Sequence, residues 1–244
     1  MSPRITWITT GRILRQLLND KRTVGLLLLV PSLILALMSA IFDDDRIFNS
    51  IGLTLLGFFP FMLMFMITSI TLLRERTGGT LERLMTTPTA KLDLVGGYAI
   101  AFGLAAAAQT GIAAAVSFLF LGLDTAGPVW AVVLIAIVTS LLGMALGLLV
   151  SAFAATEFQA IQFMPVIVIP QLLLCGLIWP RDEMSGWLQG VSEALPLTYA
   201  VEALTHVRVD PELSAGMWAD LGVVAGASLI AAALGAATLR RRTG

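Results

Sequence analysis

The chain has 244 residues, 57% of them hydrophobic and only 13% charged, with a formal net charge of −1. A soluble domain carries charge on roughly a quarter of its residues, so this is an integral membrane protein, and without a basic patch it does not bind nucleic acid. One cysteine, Cys175, excludes an intrachain disulfide and a thiolate metal cluster, and with a single histidine, His206, no paired intramembrane carboxylates and no Ser-His arrangement the sequence offers no catalytic constellation.

In chain order, residues 3–22 read as a helix lying on the membrane. Trp7, Ile13, Leu14, Leu17 and Leu18 gather on one side, and Arg12, Arg15, Asn19 and Arg22 form a polar stripe at helical spacing. Residues 1–23 are therefore set apart as an interfacial elbow, with a single all-α transmembrane domain over 24–244. Six runs are long enough to cross a bilayer as helices of about 20 residues: Val24 to Phe42, Ser50 to Leu73, Leu94 to Leu121, Val129 to Ala155, Ile161 to Trp179 and Met217 to Leu239. The first lacks a small-residue cleavage site and is longer than a signal-peptide core, so it is expected to be retained. Pro31 within it is tolerable where neighbouring helices satisfy the freed carbonyl.

Span 2 crowds Phe58, Phe59, Pro60, Phe61, Met62, Met64, Phe65 and Met66 into one short stretch. Phe58, Met62, Phe65 and Ser69 share a face there. Thioethers beside aromatic rings make an adaptable apolar surface suited to binding, and they equally suit lipid contact or internal packing.

Between spans 2 and 3 lies the charged stretch Arg74-Glu75-Arg76-Thr77-Gly78-Gly79-Thr80-Leu81-Glu82-Arg83-Leu84-Met85-Thr86-Thr87-Pro88. Thr80 can cap a short helix, Glu82 sits in its first turn and Pro88 ends it. Leu81, Leu84 and Met85 fall at i, i+3 and i+4, giving a small apolar knob that is either a docking element or a solvated loop.

Spans 3 and 4 carry small residues at close spacing, including Gly96, Gly97, Gly103 and Gly111, then Gly143 and Gly147, as does span 6 at Gly222 and Gly226. They let helices approach closely, within the chain or between copies. Span 5 holds Gln162, Phe163, Met164, Pro165, Pro170 and Gln171; the prolines bend it and Gln171 puts an amide where polar groups need partners. Two amphipathic helices of about 12 residues follow over 182–208, too short to span. Met184, Trp187, Leu188, Val191 and Leu195 pattern the first; Leu197, Ala200, Val201 and Leu204, after Pro196, pattern the second. Both are expected to re-enter the outer leaflet.

Placing the N-terminus in the cytoplasm leaves only Arg46, Arg181 and Arg208 outside among the basic residues, where most carboxylates also gather. The positive-inside rule therefore puts both termini and the 74–88 stretch in the cytoplasm. Abundant Arg, Ala and Gly suggest a GC-rich bacterial genome, hence the bacterial inner membrane.

Two stretches resemble the ABC-2 type permeases of bacterial exporters, the group that includes daunorubicin-resistance-like drug exporters. They are Arg74 through Leu84 to Pro88, and Gly176-Leu177-Ile178-Trp179-Pro180 through Trp187-Leu188 to Leu195-Pro196-Leu197-Thr198-Tyr199-Ala200-Val201-Glu202-Ala203-Leu204. The chain departs from that pattern at Thr205-His206, where many relatives have arginine, and in the second glycine ahead of Thr80. The resemblance implies that residues 78–88 form a coupling helix seated in a separate ATP-binding subunit, present in two copies. Arg74, Glu75, Arg76, Thr80, Leu81, Glu82, Arg83, Leu84 and Met85 would make that contact. It implies a second copy of the permease or a close homologue, and a path lined by spans 2 and 5 through Phe58, Phe61, Met62, Phe65, Ser69, Gln162, Phe163, Met164 and Gln171. Trp179, Trp187, Leu188, Leu195 and Tyr199 would form an outer gate.

These residues hold no Gly-x-x-x-x-Gly-Lys-Ser/Thr phosphate loop, so no cofactor is expected on this chain and ATP with Mg is expected on the partner. The expected function is ATP-driven export of an apolar or amphiphilic compound, with no catalytic residue or metal here. Two alternatives are an ion- or proton-coupled transporter or channel, and an intramembrane lipid-processing enzyme. The first wants ionisable residues within the spans, whose interiors by these boundaries lack Asp, Glu, Lys and Arg; the second wants clustered acids, histidines or a metal site.

Overall fold

The computed structural model describes residues 3–42, 44–79 and 91–238. The expected coupling helix, with Thr80, Leu81, Glu82, Arg83, Leu84 and Met85, lies outside the described residues from Thr80 onward. Among the described residues the regular structure is helical: α1 (Pro3–Asn19), α2 (Lys21–Ile41), α3 (Asp45–Thr77), α4 (Lys91–Phe120), α5 (Val129–Val150), α6 (Glu157–Leu174), a 3₁₀ turn (Arg181–Glu183), α7 (Gly186–Ala194), α8 (Pro196–Val209) and α9 (Ala215–Thr238). Six of these, α2 to α6 and α9, are long and apolar enough to cross a membrane.

Side-chain caps set several of the boundaries. α1 and α2 are separate helices because Asp20 leaves the helical path and caps α2, accepting from the Thr23 amide at 3.2 Å and its hydroxyl at 2.7 Å. Thr156 starts α6 at Glu157, ahead of the expected Ile161, by accepting from the Gln159 amide at 3.2 Å. That helix stops at Leu174, short of the expected Trp179, and Gly176 then turns the chain with φ +90°, a conformation that a side chain disfavours. Leu195 is extended and ends α7, while Pro196 opens α8, because a residue before proline avoids helical backbone and proline itself fits a first turn. Two short helices thus stand where the spacing predicts them.

α3 is the central element and packs closely along α5. A methyl group on Gly143 would lie 2.1 Å from the Phe61 carbonyl oxygen, and one on Gly147 would lie 2.5 Å from that of Phe65. The two backbones touch because these positions have no side chain. Gly235 brings α9 onto Leu148 of α5, and Gly97 brings α4 onto Thr9 of α1. By contrast Gly222 and Gly226 of α9 meet nothing within 4 Å.

The buried face of α1 overlaps the apolar side its periodicity marks, at Ile13 and the partly buried Leu14 and Leu17, and is rotated from it toward the threonines. Thr6, Thr9, Thr10 and Ile13 are buried, whereas Trp7 and Leu18 are exposed. The threonine ridge wins because it fits the notch at Gly97, where Thr10 also donates to the Gly97 carbonyl at 3.3 Å. α2 stays at the periphery, with Leu26, Leu29, Leu33, Leu37 and Ile41 exposed along one ribbon. In a bilayer such a ribbon costs nothing, since lipid tails are as apolar as leucine.

Candidate functional site

The last turn of α3 carries Arg74, Glu75 and Arg76 in succession. Consecutive helical residues point about 100° apart, at 3.6 residues per turn, so three in a row face three neighbours. Here each of them finds one.

Arg74 holds Glu157 at the start of α6 in a two-pronged ion pair, Nε to Oε1 at 2.7 Å and Nη2 to Oε2 at 2.8 Å. Glu75 is buried, with 5% of its side chain exposed, and accepts from Arg12 Nη1 of α1 at 2.8 Å and from the Tyr98 hydroxyl of α4 at 2.5 Å. Burial by itself lowers the pKa of the Arg12 guanidinium, yet the hydrogen bond and charge of Glu75 leave it raised overall. Arg76 donates to the Thr238 hydroxyl at the end of α9 at 2.9 Å. One turn of α3 therefore ties together α1, α4, α6 and α9. Past it, Gly78 caps the helix and Gly79, at φ +68°, swings the chain away toward residue 80.

Two carboxylates are thereby buried near this basic end: Glu75, and Asp93 in the first turn of α4, which accepts from the Thr6 hydroxyl at 3.4 Å. The spacing gave no sign of either as internal, because α3 runs past the expected Leu73 and α4 begins before the expected Leu94. Of the partners of this turn, Arg12 belongs to the polar stripe of residues 3–22, whereas Tyr98, Glu157 and Thr238 are not singled out by the sequence. A weak hint existed at Thr156-Glu157-Phe158-Gln159, an acidic turn at the basic end with no cation of its own.

The residues expected to line a path are arranged in two ways. Phe58, Phe61, Phe65 and Ser69 are buried within this chain and Met62 is partly buried. Phe58 and Phe61 share a cluster with Leu142, Val168, Leu197 and Val201, and Leu204 presses against Gly57. On α6, Gln162 is exposed and Phe163 and Met164 are half-buried. Gln171 is buried; it donates to the Ile167 carbonyl at 3.2 Å and accepts from the Leu197 amide at 3.4 Å, joining α6 to the start of α8. The partly open ridge of α3 runs through Met62, Met66 and Ile70.

At the opposite end, Trp179 and Trp187 are exposed and Leu188, Leu195 and Tyr199 are half-buried. Tyr199 donates to the Glu193 carbonyl at 2.8 Å, Ser192 to the Leu174 carbonyl at 2.7 Å and Arg181 to Glu202. These bonds fix α7 and α8 to the end of α6. His206 stands 3.8 Å from Asp210 and 3.6 Å from Asp220. No group of three or more His, Cys, Asp or Glu able to hold a metal occurs among the described residues.

A cavity of about 310 Å³ opens beside Arg74, between α1, α2 and α3. Gln16, Asp20, Thr23, Thr71 and Arg74 stand around its mouth, and Ile13, Leu27, Leu63 and Phe102 are the buried residues of its wall.

The sequence matches the family described as ABC-2 type transporter over residues 4–208. It is 26% identical over 179 residues to the linearmycin resistance permease protein of Bacillus subtilis (strain 168), covering 73% of this chain and 46% of that protein. It is 26% identical over 143 residues to ABC transporter G family member 20 of Dictyostelium discoideum, 59% of this chain and 20% of that protein. A probable multidrug ABC transporter permease of Escherichia coli (strain K12) is 26% identical over 141 residues, 58% of this chain and 38% of that protein. The chain thus spans less than half the length of each of these relatives.

Proposed function

Because the chain belongs to the ABC-2 type transporter family, we propose that it is the permease of an ATP-driven exporter, moved by ATP-binding subunits that are separate chains. The observation that carries this reading is the three-way anchorage of Arg74, Glu75 and Arg76 immediately ahead of residues 78–88. A push delivered to Leu81, Leu84 and Met85 would reach α3 through a short glycine turn. It would pass at once to α6, to the α1–α4 pair and to α9, because the next three side chains hold those helices.

In this mechanism two ATPase subunits close on ATP and Mg, and residues 78–88 follow them. α3 and α6 then shift relative to one another and open an apolar path outward; hydrolysis resets the assembly. Arg74 and Arg76 act as struts between α3 and its neighbours. Glu75 faces inward and fixes the elbow helix α1 to α3, so α1 travels with the coupling segment instead of sliding past it. Two copies of the permease, or one and a homologue, would enclose the path, with the partly open Met62, Met66, Ile70 ridge and the exposed Gln162 as its first candidate lining. The resistance and multidrug names of the relatives support a small apolar or amphiphilic cargo. α7 and α8 would close the outer mouth, with Trp179 and Trp187 at its edge.

Leu84→Asp is expected to abolish transport and cargo-stimulated ATP hydrolysis in the co-purified complex, while membrane insertion and thermal stability of the permease stay unchanged. A charged side chain cannot enter an apolar socket without desolvation. Transport and stimulation that survive this change would overturn the coupling assignment.

A further inference from the structure

We propose that the cavity between α1, α2 and α3 is a lipid seat, holding a zwitterionic phospholipid of the bilayer with its head group between Asp20 and Arg74 and one acyl chain along α3. The cavity shares Met66 and Ile70 with the ridge proposed as path lining, but lipid retention is read without transport, so the two readings fail separately.

Depth is the first argument. Arg74 at the mouth and Leu63 at the inner end are both on α3, eleven residues apart, which at 1.5 Å per residue is about 16 Å. Half of a hydrocarbon core of about 30 Å is nearly the same distance. The slot is therefore as deep as one leaflet, and its mouth lies at the basic end, where the chain passes out of hydrocarbon.

Chemistry along the slot is the second. Leu63, Met66 and Ile67 offer no hydrogen bond, so a chain of methylene groups is the ligand that suits this wall, and a thioether adapts to its shape. The polar residues that line the mouth are one acid, Asp20, one base, Arg74, whose other side holds Glu157 outside the lining, and the uncharged Gln16, Thr23 and Thr71. Arg74 commits Nε and Nη2 to Glu157, which leaves Nη1 for a phosphate oxygen. The Thr23 hydrogen bonds hold the Asp20 carboxyl below the usual carboxylate range, so it is ionised at neutral pH. A purely anionic head group would meet Asp20 and a purely cationic one would meet Arg74. An ammonium and a phosphate on one head group satisfy both.

Access is the third. Leu26 of α2 lies at the edge of the cavity and is exposed, so the slot is open at the flank of the bundle, the direction from which a lipid arrives.

Native mass spectrometry of the full chain tests this, with dioleoyl phosphatidylethanolamine, dioleoyl phosphatidylglycerol and glycerophosphoethanolamine as separate probes. One phosphatidylethanolamine per chain is expected to be retained, phosphatidylglycerol severalfold less, and the head group without acyl chains not at all. Ile67→Trp, which fills the slot, is expected to remove that adduct. Asp20→Asn keeps a competent helix cap and is expected to move the preference severalfold toward phosphatidylglycerol. Retention unchanged by Ile67→Trp, or a preference unmoved by Asp20→Asn, would overturn the proposal. So would binding of the free head group, or a disulfide between two Leu26→Cys chains showing that a second copy covers the cavity.

Discussion

Glu75 illustrates how much a single residue's surroundings decide. In the sequence it stands between Arg74 and Arg76, and the family resemblance assigns all three to the contact with the ATP-binding subunit. In the fold it is the buried member, shared by Arg12 and Tyr98, while Arg74 remains 61% exposed. The two ion pairs should therefore differ in worth. Glu75→Ala leaves the buried Tyr98 hydroxyl without its acceptor, at a cost of about 1–3 kcal/mol. Arg74→Ala breaks a solvent-screened pair and should cost under about 1 kcal/mol. Thermal unfolding of the detergent-solubilised protein is expected to give a clearly lower midpoint for Glu75→Ala than for Arg74→Ala. The reverse order would show that the exposed pair, not the buried cluster, holds α3 in place. Arg74→Ala is still expected to impair transport, because its strut to Glu157 is where the motion of α3 would reach α6.

Some helices meet here through their backbones as well as through interlocking side chains. Gly143 and Gly147 are the decisive positions, since a methyl at either meets carbonyl oxygens of α3 that belong to rigid backbone. Gly143→Ala is expected to force α3 and α5 apart and to destabilise by about 1–3 kcal/mol or more. Gly222→Ala, placed in open space on α9, should leave the isolated chain unharmed or stabilise it by up to about 1 kcal/mol through helix propensity. Unfolding midpoints of the two variants side by side give the comparison, and equal losses would contradict the packing described. From sequence the glycine pairs in spans 4 and 6 are equivalent, each able to serve an internal or an intermolecular contact. The structure separates them. Only the pair in α5 is used within the chain; the pair in α9 faces outward, free for a second copy.

At the level of the whole molecule, the chain is a bundle with a basic end and an acidic end, and the transport reading depends on which end faces the cytoplasm. In a Cys175→Ala background, Glu212→Cys is expected to react with an impermeant maleimide in intact cells. Lys21→Cys is expected to react only after permeabilisation. Labelling in the opposite order would invert the topology and remove the coupling segment from the compartment that holds ATP.

Length and hydrophobicity by themselves determined the six helices long and apolar enough to span, because backbone that cannot reach water must close its own hydrogen bonds, and helical periodicity marked the short helix ahead of them and the two after the fifth. Charge by itself marked the basic end. Neither could determine which side of each helix faces protein. In water a buried face is paid for by the hydrophobic effect and so announces itself as a stripe, whereas in a bilayer an apolar residue is equally content against lipid or against another helix. Only the tertiary structure therefore decided that Phe58, Phe61 and Phe65 pack inside the chain, that α1 seats its threonines and not Trp7, and that Glu75 turns inward to Arg12 and Tyr98. Those choices follow from where a glycine lets two backbones touch and where a buried carboxylate finds a donor, and both depend on partners far away in the sequence.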